Sequence, residues 1–331
     1  MSVSLRAFAA LVLLFAAGLP AADAAPCVTA TEACGQWLTL DAGGAKAFVY
    51  ATQPLGTRNP AITRALVLVH GAQRNADAYF RTAVAAASQA GALDDTLVIA
   101  PRFSANDGRA CKDTLAAGEI NWPCAGNSWR AGGAVRGNPA LTSFDFADAI
   151  LRALANKDAY PNLARIVFAG HSGGAQFAVR YAMANQVHDS LGVPVTYVVA
   201  SPSSYAYLDA SRPVPDTAGC TGYNRWPYGL QGRRGYAARL TDSQLRKQFL
   251  ARPVSYLVGA LDTQPNYQMD TSCPAMMQGP QRLARTQAFV EALGRNYRSQ
   301  PPLLVVAGCG HEQDCVLRAA PVLPVLFPRS P

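Results

Sequence analysis

Short apolar runs alternate with segments of helical composition along most of the chain. Seven runs rich in β-branched residues predict strands: Lys46–Ala51, Ala65–Val69, Thr96–Ala100, Arg165–Ala169, Val195–Ala200, Val254–Val258 and Leu303–Ala307. Four segments predict helices: Asp77–Ala90, Ser143–Ala155, Ala175–Ala184 and Pro280–Leu293. The later strands are almost wholly apolar, as is typical of strands buried on both faces of a parallel sheet. The alternation predicts an α/β fold with a doubly wound, mostly parallel sheet and helices on both faces.

Two long segments, about 102–138 and 213–239, do not fit the strand and helix pattern. Both are irregular in composition and carry aromatic residues, among them Trp129 and Trp226. Long irregular segments in compact domains are usually functional loops, so we expect these aromatics to line the substrate site. The alternative is that they only pin the loops to the body of the protein. With no repeat and no linker visible, we expect one domain over 25–331 with two loop insertions.

The pentapeptide Gly170-His171-Ser172-Gly173-Gly174 has the G-x-S-x-G pattern of a nucleophile elbow. The pattern alone is weak, because an ordinary glycine-rich turn also produces it. Its context strengthens it, since an apolar strand precedes it and an alanine-rich helix follows. We therefore predict Ser172 as a nucleophile, with the Gly173 N–H at the helix start as an oxyanion donor.

A serine hydroxyl needs a base, and the chain has four histidines from which to choose. His70 ends a predicted strand, His171 adjoins the serine and points elsewhere, and His188 lies in a polar stretch. His311 follows the last predicted strand, which is the place of the base in the α/β-hydrolase fold. We predict His311 as the base; the alternative is a solvated loop histidine.

The acid that orients the histidine is expected after the preceding strand. Asp262 lies a few residues beyond Val254–Val258, whereas Asp209, Asp270 and Asp314 are less well placed. The order Ser172, Asp262, His311 matches the order of triad residues in α/β hydrolases.

The second oxyanion donor is expected on the loop after an early strand. The turn that begins at His70 fits, with the Ala72 N–H as first choice and Gln73 as second. A simple strand-ending turn is the alternative. Residues adjoining these groups complete the predicted substrate-lining set: Gln73, His171, Trp129 and Trp226.

Four stretches resemble the exported polyester-depolymerase and feruloyl-esterase branch of the α/β hydrolases: Leu68–Tyr79, Ala169–Ala175, Val258–Thr263 and Gly308–His311. The resemblance covers the catalytic framework from about Ala65 to His311. It implies the same fold, the same triad order and an oxyanion loop that starts at the His-Gly turn. The segments around Cys111–Cys124 and at 213–239 depart from the compact family pattern, so substrate class does not carry over.

The N-terminus predicts an export signal over 1–24. Arg6 is followed by the apolar stretch Ala7–Gly18 and by an A-x-A cleavage site, Ala22–Ala24. The apolar stretch is short for a membrane span, so an anchor is the weaker interpretation. We expect a protein exported to the periplasm or the cell exterior, without a membrane span.

Cysteine usage agrees with export. All eight cysteines lie beyond the predicted signal: 27, 34, 111, 124, 220, 273, 309 and 315. An even number in an oxidising compartment predicts disulfides. We favour pairs between neighbours, 27–34, 111–124, 220–273 and 309–315. A zinc site is the alternative, but the chain has no C-x-x-C pair and few histidines.

The net charge of the chain and its distribution bear on nucleic-acid binding. The formal net charge is +8, mostly from scattered arginines without a dense basic run, so we predict no nucleic-acid binding.

The leading hypothesis is a carboxylic ester hydrolase that acts on a small or polymeric ester. We expect it to need no cofactor and no metal and to be a monomer. A serine peptidase or amidase on the same triad is the alternative, and a catalytically silent binding protein is a third hypothesis.

Overall fold

An eight-stranded, mostly parallel β-sheet is the centre of the protein in the computed structural model, which describes residues 25–41, 43–214, 218–265 and 268–329. The predicted export signal, 1–24, lies outside the described residues. The strands are β1 Gly35–Thr39, β2 Lys46–Ala51, β3 Arg64–Val69, β4 Thr96–Pro101, β5 Ala134–Val135, β6 Asn138–Thr142, β7 Arg165–His171, β8 Val195–Ala200, β9 Val254–Gly259 and β10 Leu303–Val306.

The order of strands in the sheet is β1-β2-β4-β3-β7-β8-β9-β10. All pairs from β4 to β10 are parallel, and β1 and β2 add an antiparallel edge. Because the carboxyl ends of the parallel strands lie at one edge of the sheet, the loops after β3, β7, β9 and β10 meet there. This is the edge at which α/β sheets place their ligand sites.

Helices cover both faces of the sheet. They are α1 Ala76–Gln89, α2 Ser143–Leu154, α3 Gly173–Ala184, α4 Asp242–Ala251, α5 Cys273–Met276, α6 Arg282–Tyr297, α7 Gln313–Arg318 and α8 Leu323–Leu326. Alternate residues of β3 enter two different cores: Val67 belongs to one, and Leu66 and Leu68 to the other. Burial on both faces explains why these strands are continuously apolar. The predicted α/β-hydrolase fold class is confirmed.

The predicted strands and helices agree with the structure to within a few residues at their ends. Strand β1 was missed, because it is a half-exposed edge strand with little apolar patterning. The segment 102–138 is less irregular than predicted. It contains a 3₁₀-helix at Ala125–Ala131 and the start of a small antiparallel pair formed by β5 and β6.

All four predicted cysteine pairs lie at disulfide distance, so the pairing of sequence neighbours is confirmed. The Cys111–Cys124 bridge closes part of the first insertion. The Cys309–Cys315 bridge encloses the loop that carries His311. Among the helices of the described chain, none has the length and apolarity that a bilayer crossing requires.

A buried carboxyl group joins α2 to the elbow helix and to the second insertion. Asp148 accepts hydrogen bonds from the Tyr181 hydroxyl at 2.7 Å and the Tyr236 hydroxyl at 2.8 Å. Burial raises its pKa to about 6, against the tendency of both hydrogen bonds to lower it.

This raised pKa predicts that Asp148 destabilises the native state as the pH rises from about 4 to about 6. In that window the unfolded carboxyl has ionised and the native one still holds its proton, so rising pH favours unfolding. A shift of one pKa unit corresponds to about 1.4 kcal/mol. Between about pH 4 and about pH 6 we therefore expect the free energy of unfolding of the wild type, relative to Asp148→Asn, to fall by roughly 2 kcal/mol.

Chemical denaturation of both proteins at several pH values between about 4 and 7 measures this difference. The exposed residue Asp158 provides a control, Asp158→Asn, for which no such pH-dependent difference is expected. A difference between wild type and Asp148→Asn that stays constant with pH would contradict the assignment.

Candidate active site

Ser172 occupies a strained turn between β7 and α3. Its backbone angles are φ 56° and ψ −117°, a region that residues other than glycine rarely adopt. The turn is held because the Ser172 N–H donates to the Ala200 carbonyl at 2.9 Å, in continuation of the β7–β8 ladder. The elbow therefore projects the serine side chain at the carboxyl edge of the sheet.

Close backbone contacts explain the two outer glycines of the elbow motif. A methyl group at Gly170 would lie 2.1 Å from the Gly174 oxygen. One at Gly174 would lie 2.1 Å from the oxygen of Val69, on the neighbouring strand. Since any side chain would collide with backbone, the pattern at these positions has a steric cause.

The structure brings the three predicted triad residues together in one hydrogen-bonded chain. His311 Nε2 is 3.0 Å from Ser172 Oγ, and His311 Nδ1 is 2.8 Å from Asp262 Oδ2. Ser172 and Asp262 are each 3% exposed, whereas the His311 side chain is 14% exposed. This geometry suits proton transfer from the serine to a histidine whose other nitrogen donates to a carboxylate.

Backbone contacts fix the histidine loop against the acid loop. The Leu261 N–H donates to the Cys309 carbonyl at 2.8 Å, and the Ala260 N–H donates to the Val306 carbonyl at 2.9 Å. A methyl group at Gly259 would lie 2.1 Å from the Gly310 oxygen, so the two loops approach as closely as glycine permits. The Cys309–Cys315 bridge then restrains the far side of the His311 loop.

Asp262 has a buried cationic neighbour that the sequence did not reveal. Arg282, at the start of α6, is fully buried and lies 3.4 Å from Asp262 Oδ1. Burial lowers the pKa of Arg282, and the charge of Asp262 acts in the opposite direction. The contact places the Arg282 guanidinium beside the Asp262 carboxyl group, with both side chains shielded from solvent. In the sequence Arg282 is only one polar residue among several at a predicted helix start.

His171 packs against the predicted base instead of acting as one. Its ring centroid is 4.8 Å from that of His311, and its Nδ1 lies 2.8 Å from the Tyr79 hydroxyl. Burial and the nearby His311 hold the pKa of His171 well below its usual range, so it stays neutral at neutral pH. A neutral ring here adds no positive charge beside His311 when the latter takes a proton.

The loop after β3 brings the Ala72 nitrogen to the elbow. A methyl group at Gly173 would lie 3.0 Å from that nitrogen. His70 shapes the loop, since its Nδ1 lies 2.8 Å from the Gly71 oxygen and its Nε2 accepts from the Phe103 N–H at 3.1 Å. Burial lowers the pKa of His70 to about 3, so it is a neutral structural residue.

Two adjoining cavities surround these groups. The smaller, about 210 Å³, contains Ser172 and His311; the larger, about 1390 Å³, shares Ala72, Gln73 and Gln268 with it. Of the predicted substrate-lining residues, Gln73, His171 and Trp226 lie on these walls.

Trp129 is placed differently from the prediction. It is fully buried and stacks on Phe103 at a centroid distance of 4.7 Å, so it belongs to the core. Its neighbours Ser128 and Arg130 reach the larger cavity. A tryptophan in a polar loop gives no sequence signal that tells these two placements apart.

Comparison with known proteins identifies the family of the chain. The family model described as the alpha/beta hydrolase family matches residues 66–328. The chain belongs to the alpha/beta hydrolase family. The match runs from β3 to the end of α8 and so includes every group of this alpha/beta hydrolase's candidate site. A search of curated proteins gave no match.

Two solved structures resemble this alpha/beta hydrolase over most of its length. One is the poly(3-hydroxybutyrate) depolymerase LpqC from Bordetella parapertussis, with 25% identity, 89% of this chain and 88% of that chain covered, and a TM-score of 0.60. The other is poly(aspartic acid) hydrolase-1 from Sphingomonas sp. KT-1, with 22% identity, coverage of 85% and 94%, and a TM-score of 0.60. The second likeness shows the fold alone. Family membership and the depolymerase neighbour support a hydrolase.

Proposed function

We propose that the protein is an exported serine hydrolase that cleaves carboxylic esters through Ser172, His311 and Asp262. The observation that carries the proposal is the continuous chain of hydrogen bonds from Ser172 Oγ through His311 to Asp262. A catalytically silent binding protein has no need to keep a strained serine in contact with a histidine and a buried acid.

In the proposed reaction His311 Nε2 takes the proton of Ser172 as the hydroxyl oxygen attacks the ester carbonyl carbon. Asp262, held by Arg282, accepts the Nδ1–H of the imidazolium. The Ala72 and Gly173 N–H groups donate to the oxyanion of the tetrahedral intermediate. The ester C–O bond then breaks, and the alcohol leaves with the proton from His311. Water releases the acid from the acyl-enzyme by the same steps in reverse.

The ester class is supported by the depolymerase from Bordetella parapertussis, whose named substrate is a polyester. We accordingly place the chain with the polyester-depolymerase and feruloyl-esterase branch of its family. Four disulfides support export, because such bonds persist in oxidising compartments. Amide cleavage by the same triad differs only in how the leaving group is protonated.

Turnover of p-nitrophenyl esters of short and medium chain length, beside a matched p-nitroanilide, tests the proposal. We expect ester turnover to exceed anilide turnover by orders of magnitude and a fluorophosphonate probe to label the protein, with Ser172→Ala as the blank. Faster anilide than ester turnover would establish an amidase instead. Absence of both turnover and labelling would establish a binding protein.

A further inference from the structure

We propose that the larger cavity beside Ser172 binds a carboxylate of the substrate, so that the preferred esters carry a free carboxylate. This inference rests on the proposed ester hydrolysis and adds a substrate class to it. Four arginines and a single aspartate are the charged residues on the described wall of this cavity: Arg130, Arg180, Arg225, Arg234 and Asp270. The wall therefore carries an excess of positive charge.

Arg130 brings one of these charges next to the oxyanion donors. Its Nε lies 3.2 Å from the position of a methyl group built on Gly173, and the Ala72 nitrogen lies 3.0 Å from the same point. Its guanidinium donates to the Gln176 side chain at 2.9 Å. Its Nε is buried and has no hydrogen-bond partner among the described residues. A buried donor without a partner carries a desolvation cost that a bound acceptor would remove.

Arg180 places a second charge in the same wall. It is 2% exposed and donates to two carbonyl oxygens, of Pro227 at 3.1 Å and Arg130 at 3.3 Å, and to the Ser204 hydroxyl at 3.1 Å. All three partners are neutral. Gln176 connects the two arginines, since it accepts from Arg130 and donates to Ser204 at 2.6 Å.

No carboxylate of the described chain lies within ion-pair distance of Arg130 or Arg180. Burial lowers the pKa of each to about 10, which leaves both protonated at neutral pH. Asp270 attracts both from a greater distance. The Asp270 carboxylate accepts hydrogen bonds from the Tyr228 hydroxyl at 2.8 Å and from the Ser272 hydroxyl at 2.6 Å.

Arg180 is buried and Arg130 is half-buried, and both are held by neutral groups. They need an anion to offset their charge, because an unpaired charge away from water is costly. A carboxylate matches the fork of the guanidinium. The cavity shares Ala72, Gln73 and Gln268 with the Ser172 cavity, so one substrate can occupy both. Arg225 and Arg234 on the same wall are exposed, so they attract anions from solution.

Matched pairs of esters test this inference and show which part of the ester carries the carboxylate. Mono-p-nitrophenyl adipate and p-nitrophenyl hexanoate share acyl length and differ by a terminal carboxylate. 4-(Butanoyloxy)benzoate and its methyl ester differ by a carboxylate on the alcohol side. With the uncatalysed rate subtracted, we expect kcat/KM for the anionic member of at least one pair to be about tenfold higher or more.

Arginine substitutions then assign the preference to the cavity. Arg130→Gln and Arg180→Gln are expected to lower the anionic-to-neutral ratio at least about fivefold, and Arg130→Lys is expected to retain part of it. The ratio should be unchanged in Arg295→Gln, which removes an exposed charge on α6. Should the Arg130 and Arg180 variants fail to fold, the double variant Arg225→Gln/Arg234→Gln is expected to lower the ratio about twofold to threefold.

Binding of adipate to the Ser172→Ala protein, measured by calorimetry, tests the cavity without turnover. We expect binding that weakens at high ionic strength and is lost in Ser172→Ala/Arg130→Gln. A wild type that hydrolyses neutral esters and shows no anionic preference in either pair overturns this inference and leaves the proposed function standing. A wild type without any esterase activity overturns the proposed function, and adipate binding then still decides the cavity inference.

Discussion

Ser172→Ala is expected to lower kcat for ester hydrolysis by on the order of 10⁵-fold and to abolish fluorophosphonate labelling. The reason is geometric, since Ser172 Oγ is the group 3.0 Å from His311 Nε2 at the edge of the smaller cavity. Without the hydroxyl, no acyl-enzyme forms, and only the oxyanion donors and substrate binding remain to assist attack by water. Steady-state kinetics with p-nitrophenyl butyrate, together with probe labelling, measure the loss.

A matched serine variant separates this effect from general damage. Ser211→Ala removes an exposed hydroxyl that bonds to Asp209, far along the chain from the elbow. We expect this variant to keep wild-type turnover within about twofold, as distant surface substitutions usually do. Activity in Ser172→Ala within tenfold of the wild type would show that another group is the nucleophile.

Asp262→Asn is expected to lower kcat about 10³- to 10⁴-fold with little change in KM. Asp262 Oδ2 accepts from His311 Nδ1 and so keeps Nε2 free to take the serine proton. An asparagine amide donates to Nδ1 instead, which moves the ring proton to Nε2 and provides no charge to stabilise the imidazolium. Arg282 would also lose the anion that its buried guanidinium now faces.

Asp209→Asn is the control, because Asp209 follows another strand of the same sheet. Its carboxylate accepts from Ser211, Asn296 and Tyr297 and lies on neither cavity wall. We expect kcat within about threefold of the wild type. A small effect of Asp262→Asn, or an equal effect of Asp209→Asn, would show that Asp262 is not the orienting acid. The Asp262→Asn and Asp209→Asn proteins should have similar near-UV circular dichroism, which checks that both are folded.

Local pattern was sufficient to predict the elements that build the site. The apolar strands before Gly170 and before Asp262 are buried on both faces, so tertiary packing demands the same residues that the pattern shows. The elbow was predictable because the glycines that its crowded backbone requires are next to the serine in sequence. Three disulfides were predictable for a similar reason, since their cysteines are 7, 13 and 6 residues apart. The fourth, Cys220–Cys273, joins cysteines 53 residues apart and has no such local reason.

Long-range charge placement was not predictable. Arg130 comes from the first insertion and Arg180 from the elbow helix, fifty positions apart in the chain. Nothing in either segment distinguishes these residues from the many exposed arginines. The same holds for Arg282, whose role depends on α6 packing against the loop after β9. Trp129 was predicted to line the substrate site because it lies in a polar loop, but its side chain is fully buried in the core.

Most strands and helices of the sheet, the α/β-hydrolase fold and the elbow at Ser172 could be predicted from the sequence alone, because each depends on periodicity or on residues that are neighbours in the chain. Only the tertiary structure decided that His311 and Asp262 reach Ser172, since that contact requires three loops to meet at the carboxyl edge of one sheet. The tertiary structure also decided which arginines are shielded from solvent without an anionic partner. That selection depends on desolvation, which is a property of the packed protein and not of any segment.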